Sequence, residues 1–443
     1  MTHRTNWILP ICCCITAALS AQQPYASWRV GAPNSVNAPQ SRAYILAGGG
    51  GDNDDAMRWM LQKANGGDIL VLRTSGSNGY NSYFYSELGI PVNSVETLRL
   101  NGAAGAAHPY VLQRVSEAEV IFIAGGDQWD YYQHWRNSPL GDSLRSRIAG
   151  KGLTLGGTSA GMMIMGGVYY APQNSGVTSP QALGNPYHAN MNVLGKDDFL
   201  NIPIFQNVIM DTHYEQRERE GRHIAFMARM EHDWGINALG IACNEYTAVC
   251  VDESGLARVF GDAPQYPDYA FFIQSNCDQP ISVPEVCASG QPLRWIKGEE
   301  ALKVCKIPGT TNGAHTFDLN DWLSAQGGEW EDWHADGGLW KKKPAQNPPC
   351  LGVSAPTPSD AEWLRIGPIP TQTHVWLRAV RPWSGWAEWY DLSGRLLGRM
   401  RVEDANETRI GIGEQGMGAR VLRVRRDDGA TLLRRIPLVS ETN

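Results

Sequence analysis

Basic residues are in the minority in this sequence: 38 Lys and Arg stand against 45 Asp and Glu, for a formal net charge of −7. A chain with that balance lacks the electrostatic footprint of a partner for nucleic acid or for an anionic membrane surface. Past its first 21 residues it also lacks any apolar run long enough to cross a bilayer, which argues against a transmembrane anchor. No Cys/His cluster has zinc-site spacing, so no structural metal or other cofactor is expected. The glycine run Gly48 to Gly51 lacks both a Gly-Lys-Ser/Thr ending and the spaced G-x-G-x-x-G form, which argues against a nucleotide site.

What is present points to an exported enzyme. At 443 residues the chain exceeds what one core usually holds, and 42% hydrophobic with 19% charged residues is a globular composition. Arg4 precedes the apolar run Trp7 to Leu19, and small residues follow, which is the layout of a signal peptide over residues 1–21. Of nine cysteines, the three in that leader (Cys12 to Cys14) would be discarded, leaving Cys243, Cys250, Cys277, Cys287, Cys305 and Cys350. An even number in an exported chain permits disulfides. Cys277 with Cys287 is the simplest clip, while Cys243 and Cys250 read equally well as buried free thiols.

From Ala43 onward, short apolar strands alternate with helical patterns. The strands are Ala43 to Ala47, Asp68 to Leu72, Val95 to Leu100, Val120 to Ala124 and Phe205 to Met210; helical patterns include Asp54 to Lys63, Asp130 to Ile148 interrupted near Pro139, and Ile224 to Met230. That alternation predicts an α/β fold with a doubly wound, mostly parallel sheet. Within it, Gly157-Thr158-Ser159-Ala160-Gly161 has the G-x-S-x-G form of a nucleophile elbow, in which a serine at a strand-to-helix turn is pushed out toward substrate. The same residues also read as a glycine-rich turn whose serine caps a helix. The turn Gly125-Gly126-Asp127-Gln128 falls on the same sheet rim, where N–H groups near Gly126 would join that of Ala160 as an oxyanion hole and Gln128 would touch substrate. His213 ends another strand, as a general base for the serine must, and Glu245 between two later strands would orient its ring. Arg217 and Arg219 would share a side and clamp a carboxylate if their segment is not helical. A Pro-rich linker over residues 344–358 precedes short strands only, predicting a small antiparallel β-sandwich over residues 359–443.

In order along the chain, Gly125-Gly126-Asp127-Gln128, Gly156 to Gly161, Asp211-x-His213-Tyr214-x-x-Arg217-x-Arg219-x-x-Arg222 and Glu245 to Ala248 resemble the motif series of cyanophycinase and its relatives. These serine peptidases are distantly similar to dipeptidase E and to class I glutamine amidotransferases. The resemblance covers the segment assigned to the catalytic domain, residues 40–343. It implies Ser159 as nucleophile, His213 as base and Glu245 as its orienting carboxylate, with Gln128, Asp211, Arg217, Arg219 and Arg222 at substrate-pocket positions. The order Ser, His, Glu departs from that of α/β-hydrolases and weighs against an esterase or lipase. The family's substrate is a polymer of aspartate carrying arginine on its side-chain carboxyl, so each repeat has a free α-carboxylate, which an arginine trio suits. Thr212 stands where the family commonly has glutamine, which opens the range to other β-aspartyl or acidic peptides. The final sandwich resembles the C-terminal sorting domain of type IX secretion cargo, which implies the export machinery as a partner. A homodimer is left open. The competing class is a non-catalytic surface or binding protein that retains the peptidase fold.

Overall fold

The computed structural model describes residues 23–150, 152–279 and 282–345, and in the C-terminal segment 364–367, 374–390, 396–411, 418–427 and 431–438. The expected signal peptide and nearly all of the expected linker lie outside the described residues. Among the described residues, no helix is long and apolar enough to cross a membrane.

Five strands form the parallel centre of a ten-stranded sheet: β2 (Ala43–Ala47), β3 (Asp68–Arg73), β4 (Ser94–Leu100), β5 (Val120–Ile123) and β6 (Thr154–Thr158). Their order is β4-β3-β5-β6-β2, each pair parallel. The edges are antiparallel: β1 (Tyr25–Gly31) pairs β4, and β11 (Ala248–Val251) pairs β2, followed by β12 (Leu256–Phe260), β15 (His315–Asp318) and β16 (Ala325–Gln326).

Successive residues of a strand face opposite sides of the sheet, and here both sides are dry. Leu46, Leu70, Leu72, Ile121 and Ile123 enter one core; Ile45, Ile69, Val71 and Phe122 enter the other, with Met57, Met60 and Phe84. The helix Asp54–Gln62 supplies both methionines; Asn53 caps it by accepting the Ala56 N–H at 3.0 Å, and Asp54 and Asp55 favour its first turn. The single helix expected over residues 130–148 is two, Gln128–Trp135 and Pro139–Ala149. Pro139 opens the second, and the Ser138 hydroxyl caps it.

The doubly wound sheet accounts for only part of the catalytic segment. The chain after Met163 builds a second, eight-stranded sheet: β7 (Val168–Tyr170), β8 (Leu194–Lys196), β9 (Val208–Asp211), β10 (Leu239–Cys243), β13 (Tyr269–Ser275), β14 (Leu302–Pro308), β17 (Glu329–Asp336) and β18 (Leu339–Pro344). It is mostly antiparallel, with β9 parallel to β10 and β7. Met210, Ile241, Phe272 and Ile307 from this sheet pack into the same core as Leu46, Leu70 and Ile121, so the two sheets share an interior. The outer face of the second sheet is covered by the helix Glu220–Trp234, longer at both ends than the expected Ile224 to Met230 and stopped by Gly235 in the left-handed conformation.

The expected clip between Cys277 and Cys287 is not formed. Cys277 is disulfide-bonded, but the thiol of Cys287 is free, as are those of Cys243, Cys250 and Cys305, all four buried. In the C-terminal segment the described strands are antiparallel: β19 (Leu364–Gly367), β20 (His374–Tyr390), β21 (Leu396–Gly411), β22 (Gly418–Arg426) and β23 (Thr431–Leu438). Where short strands only were expected, β20 runs as one strand of 17 residues, with register shifts between Arg378 and Gly385. Val375, Leu377, Trp383, Val402, Leu422 and Val424 form its core.

Candidate active site

β6 lies between β5 and β2, so its end opens at the middle of the parallel sheet. There the chain turns through Ser159 into the short helix Ala160–Met163. Ser159 has φ 51° and ψ −117°, a conformation that L-residues avoid and that tertiary contacts must hold in place. Its N–H donates to the Ala47 carbonyl at 3.0 Å, extending the β2–β6 ladder by one bond, and its carbonyl accepts from Met163 N–H at 3.0 Å. The flanking glycines allow close approach: a Cβ on Gly157 would lie 2.5 Å from the Gly161 carbonyl carbon, and one on Gly161 would lie 2.1 Å from the Ile123 oxygen. This is why the turn needs glycine on both sides of the serine.

His213 follows β9 and Glu245 follows β10, so both leave the second sheet at strand ends that face Ser159. The Ser159 hydroxyl lies 2.8 Å from His213 Nε2, and His213 Nδ1 lies 2.6 Å from Glu245 Oε1. Glu245 sits in the turn that carries the chain from the second sheet back to β11 of the first. Burial pushes the His213 pKa below its usual value, and Arg217 and Arg219 nearby push the same way against the opposing hydrogen bond from Glu245. The ring is therefore neutral near pH 7, with Nε2 open to accept the serine proton and Nδ1–H held by the carboxylate.

Sequence reasoning missed the part that joins these three residues. The glycine run after β2 is a bracket: Gly48 accepts the His213 N–H at 2.9 Å and donates to Thr247, and the Gly49 carbonyl accepts the Tyr246 N–H at 3.0 Å. A Cβ on Gly49 would sit 2.6 Å from His213 Nε2 and 3.0 Å from Ser159 Cβ, and one on Gly50 would strike the Glu245 side chain. The readable signal was the absence of side chains over four residues at a strand end. It allows close backbone approach to Ser159, His213 and Glu245 instead of to a phosphate.

The other candidate residues fall into two groups. Ala160 directly follows Ser159, Gly125 faces it, and Gly126 is exposed in the same turn, which Tyr131 braces by donating to the Ala124 carbonyl at 2.7 Å. Gln128 opens its helix half-buried and reaches Met163 Sδ at 2.9 Å. Asp211 and Arg222, in contrast, are buried against each other, with contacts of 2.8 and 2.6 Å that form a bidentate pair. Arg219 adds an N–H to the Thr212 carbonyl at 2.9 Å and a 3.3 Å contact to Asp211. Burial works to raise the Asp211 pKa, but the two guanidinium groups outweigh it and hold it at about 2. Arg222 therefore does not present its charge as a clamp for a substrate carboxylate; Asp211 already occupies it. Arg217, in a 3₁₀ turn, is the exposed member of the trio. Thr212, the departure from the family pattern, is buried and donates its N–H to Asp211 at 2.8 Å.

Ser159 lines a cleft of about 300 Å³ with Gly49, Gly125, Thr158, Asp52, Arg73 and Tyr80. Among the described residues, no group of three His, Cys, Asp or Glu side chains converges as metal ligands.

Residues 77–259 match the model of peptidase family S51. The chain is 28% identical over 177 residues to the cyanophycinase of Trichormus variabilis, covering 40% of this chain and 53% of that protein. It is 26% identical over 201 residues to the cyanophycinase of Synechococcus elongatus, covering 44% and 57%. The chain thus spans about half the length of the curated relatives it matches. Among solved structures, a peptidase from an acI-B1 Actinobacterium covers 52% of this chain and 93% of its own, at 17% identity and a TM-score of 0.38, which adds nothing to the fold described above. Residues 77–259 are thus similar in sequence to peptidase family S51.

Proposed function

We propose that this chain is an exported serine peptidase that cleaves β-aspartyl-type peptide bonds, as in cyanophycin or a related acidic or arginyl peptide. The observation that carries the reading is the continuous chain from Ser159 through His213 to Glu245, at 2.8 and 2.6 Å. In this reaction Ser159 Oγ attacks the scissile carbonyl while its proton passes to His213 Nε2, and Glu245 stabilises the imidazolium. The N–H of Ala160 and those of the Gly125–Gly126 turn receive the oxyanion, each donor contributing about 3 kcal/mol. His213 then protonates the leaving amine, the acyl group stays on Ser159 as an ester, and a water deprotonated by His213 releases it. The cyanophycinase relatives supply the substrate class, and buried Thr212 is the reason to test beyond cyanophycin.

Residues 1–21 would direct export, and the C-terminal domain would address the protein to the type IX machinery. Recovery of the enzyme only from the cytosol would remove that part of the reading. The enzymatic part is tested by incubating the purified chain with cyanophycin and with a panel of β-aspartyl peptides. Turnover is expected for the wild type, with a loss of roughly 10⁴-fold or more in Ser159→Ala. A silent wild type across the panel, or an active Ser159→Ala, sinks the proposal.

A further inference from the structure

The cleft in front of Ser159 does not end there. Asp52, Arg73 and Tyr80 line it and also line a neighbouring cavity of about 460 Å³, together with Asp54, Gly79 and Tyr83. Substrate approaching the serine along this path meets three shared side chains, so the hydrogen-bonding groups they leave unpaired decide what can bind. Both carboxylates accept a tyrosine hydroxyl, and Asp52 keeps its charge with Oδ1 buried. Tyr80 donates its hydroxyl to Asp52 at 2.7 Å, Tyr83 donates to Asp54 at 2.8 Å, and Arg58 pairs with Asp54 at 3.2 Å.

Arg73 is different. It is half-buried at the end of β3, and its Nε and Nη1 donate to the carbonyls of Ser75 and Ser77, the latter at 2.6 Å. Those neutral acceptors fix the guanidinium plane without cancelling its charge. Among the described residues, Arg73 has no ion-pair partner within 4.0 Å, and the N–H groups not used by the two carbonyls are free for a ligand. A fixed, unneutralised guanidinium in a cleft is suited to a planar anion, which it binds through paired N–H bonds. Arg219 and Arg222 spend the same capacity on Asp211.

We propose that Arg73 is the anchor for a substrate carboxylate in the cleft beside Ser159, so that the preferred substrates are peptides with a free α-carboxylate next to the scissile bond. This rests on the peptidase reading above and names the residue that selects the substrate.

The test separates the two ideas by measuring binding without turnover. Ser159→Ala protein is titrated with β-aspartyl-arginine and with its analogue in which both α-carboxylates are amides. The free acid is expected to bind about tenfold or more tightly than the amide, the range of one charge-assisted pair. Adding Arg73→Met should remove that preference by weakening the acid alone, and Arg73→Lys should restore part of it. In the Ser159 wild type, Arg73→Met should raise KM for the acid with kcat little changed. If Arg73 only braces the Ser75 to Ser77 loop, both ligands weaken equally, and that result overturns the proposal. So does an undiminished acid preference in Arg73→Met, or no preference in the parent. Failure of turnover with the acid preference intact would count against the peptidase reading alone.

Discussion

Two sets of arginines stand near the candidate site, Arg219 and Arg222 after His213 and Arg73 in the cleft of Ser159, and they differ in what holds them. On one side Arg222 and Arg219 converge on Asp211, which is fully buried, cancels one of their two positive charges and holds both side chains in place. On the other side Arg73 is held by backbone carbonyls that fix its plane but leave its charge intact. The same residue type thus serves architecture in one place and faces a cleft in the other. The distinction lies in the counter-ion, not in the arginine. A buried pair satisfied in both directions holds β9 and the start of the helix Glu220–Trp234 in fixed relation, which fixes the position of His213 between them.

The largest effect that would sharpen this contrast is at Glu245, proposed to orient the base. Glu245→Gln keeps the shape but removes the charge that favours the imidazolium, and kcat should fall roughly 10³- to 10⁴-fold with KM little altered. The pH profile gives an independent check. His213 titrates below its usual 6.5 because burial disfavours its charged form, so kcat/KM should be full at neutral pH and decline only at lower pH. Since Glu245 raises the His213 pKa, its loss should move the acid limb further down. An upward shift of that limb would contradict the assigned role.

Asp211→Asn is expected next, and its effect should fall on stability. It leaves Arg222 buried without a full counter-charge, a defect that costs about 3–5 kcal/mol and should appear in denaturant melts. The folded-state pKa of Asp211 is depressed to about 2 from an ordinary value of 3.8. Its contribution is therefore present above about pH 4 and is lost as pH falls toward 2, so the wild-type and Asn melts should converge in acid. A stable Asp211→Asn protein with changed substrate preference would instead return Asp211 to the substrate pocket and erase the contrast between the two sides.

The first half of the catalytic segment was legible because β2, β3 and β5 are buried on both faces and read as short apolar runs separated by helical patterns. The second sheet was not. Strands such as β17, Glu-Trp-Glu-Asp-Trp-His-Ala-Asp, carry charge at half of their positions, and β18 is largely exposed, so no period of two stands out. The turn at Ser159 was visible from its glycines, since close approach excludes every other residue. That His213 and Glu245 meet it could not be derived from spacing, because they reach it from a different sheet; the motif series of a known family supplied that link. The resemblance puts Arg222 at a substrate-pocket position; the sequence displays its charge but not its pairing with buried Asp211.

The smallest of these effects concerns Gly49, which the sequence presented as a loop of no assigned chemistry. Its φ of +88° is one that L side chains rarely adopt, and an added methyl would stand 2.6 Å from His213 Cε1 and Nε2. The histidine ring can relieve that contact only by turning away from Ser159, because its backbone N–H is pinned to Gly48. Gly49→Ala should therefore lower kcat by about 10²-fold, the scale of an ångström-sized misplacement of a catalytic group. The loss of stability should be roughly 1–3 kcal/mol, because an L side chain is strained at that φ. If the bracket fixes the ring, the acid preference set by Arg73 should survive in Gly49→Ala. Loss of rate and of acid preference together would mean that the glycine loop shapes the whole cleft, and the two sides of Ser159 would no longer be separable.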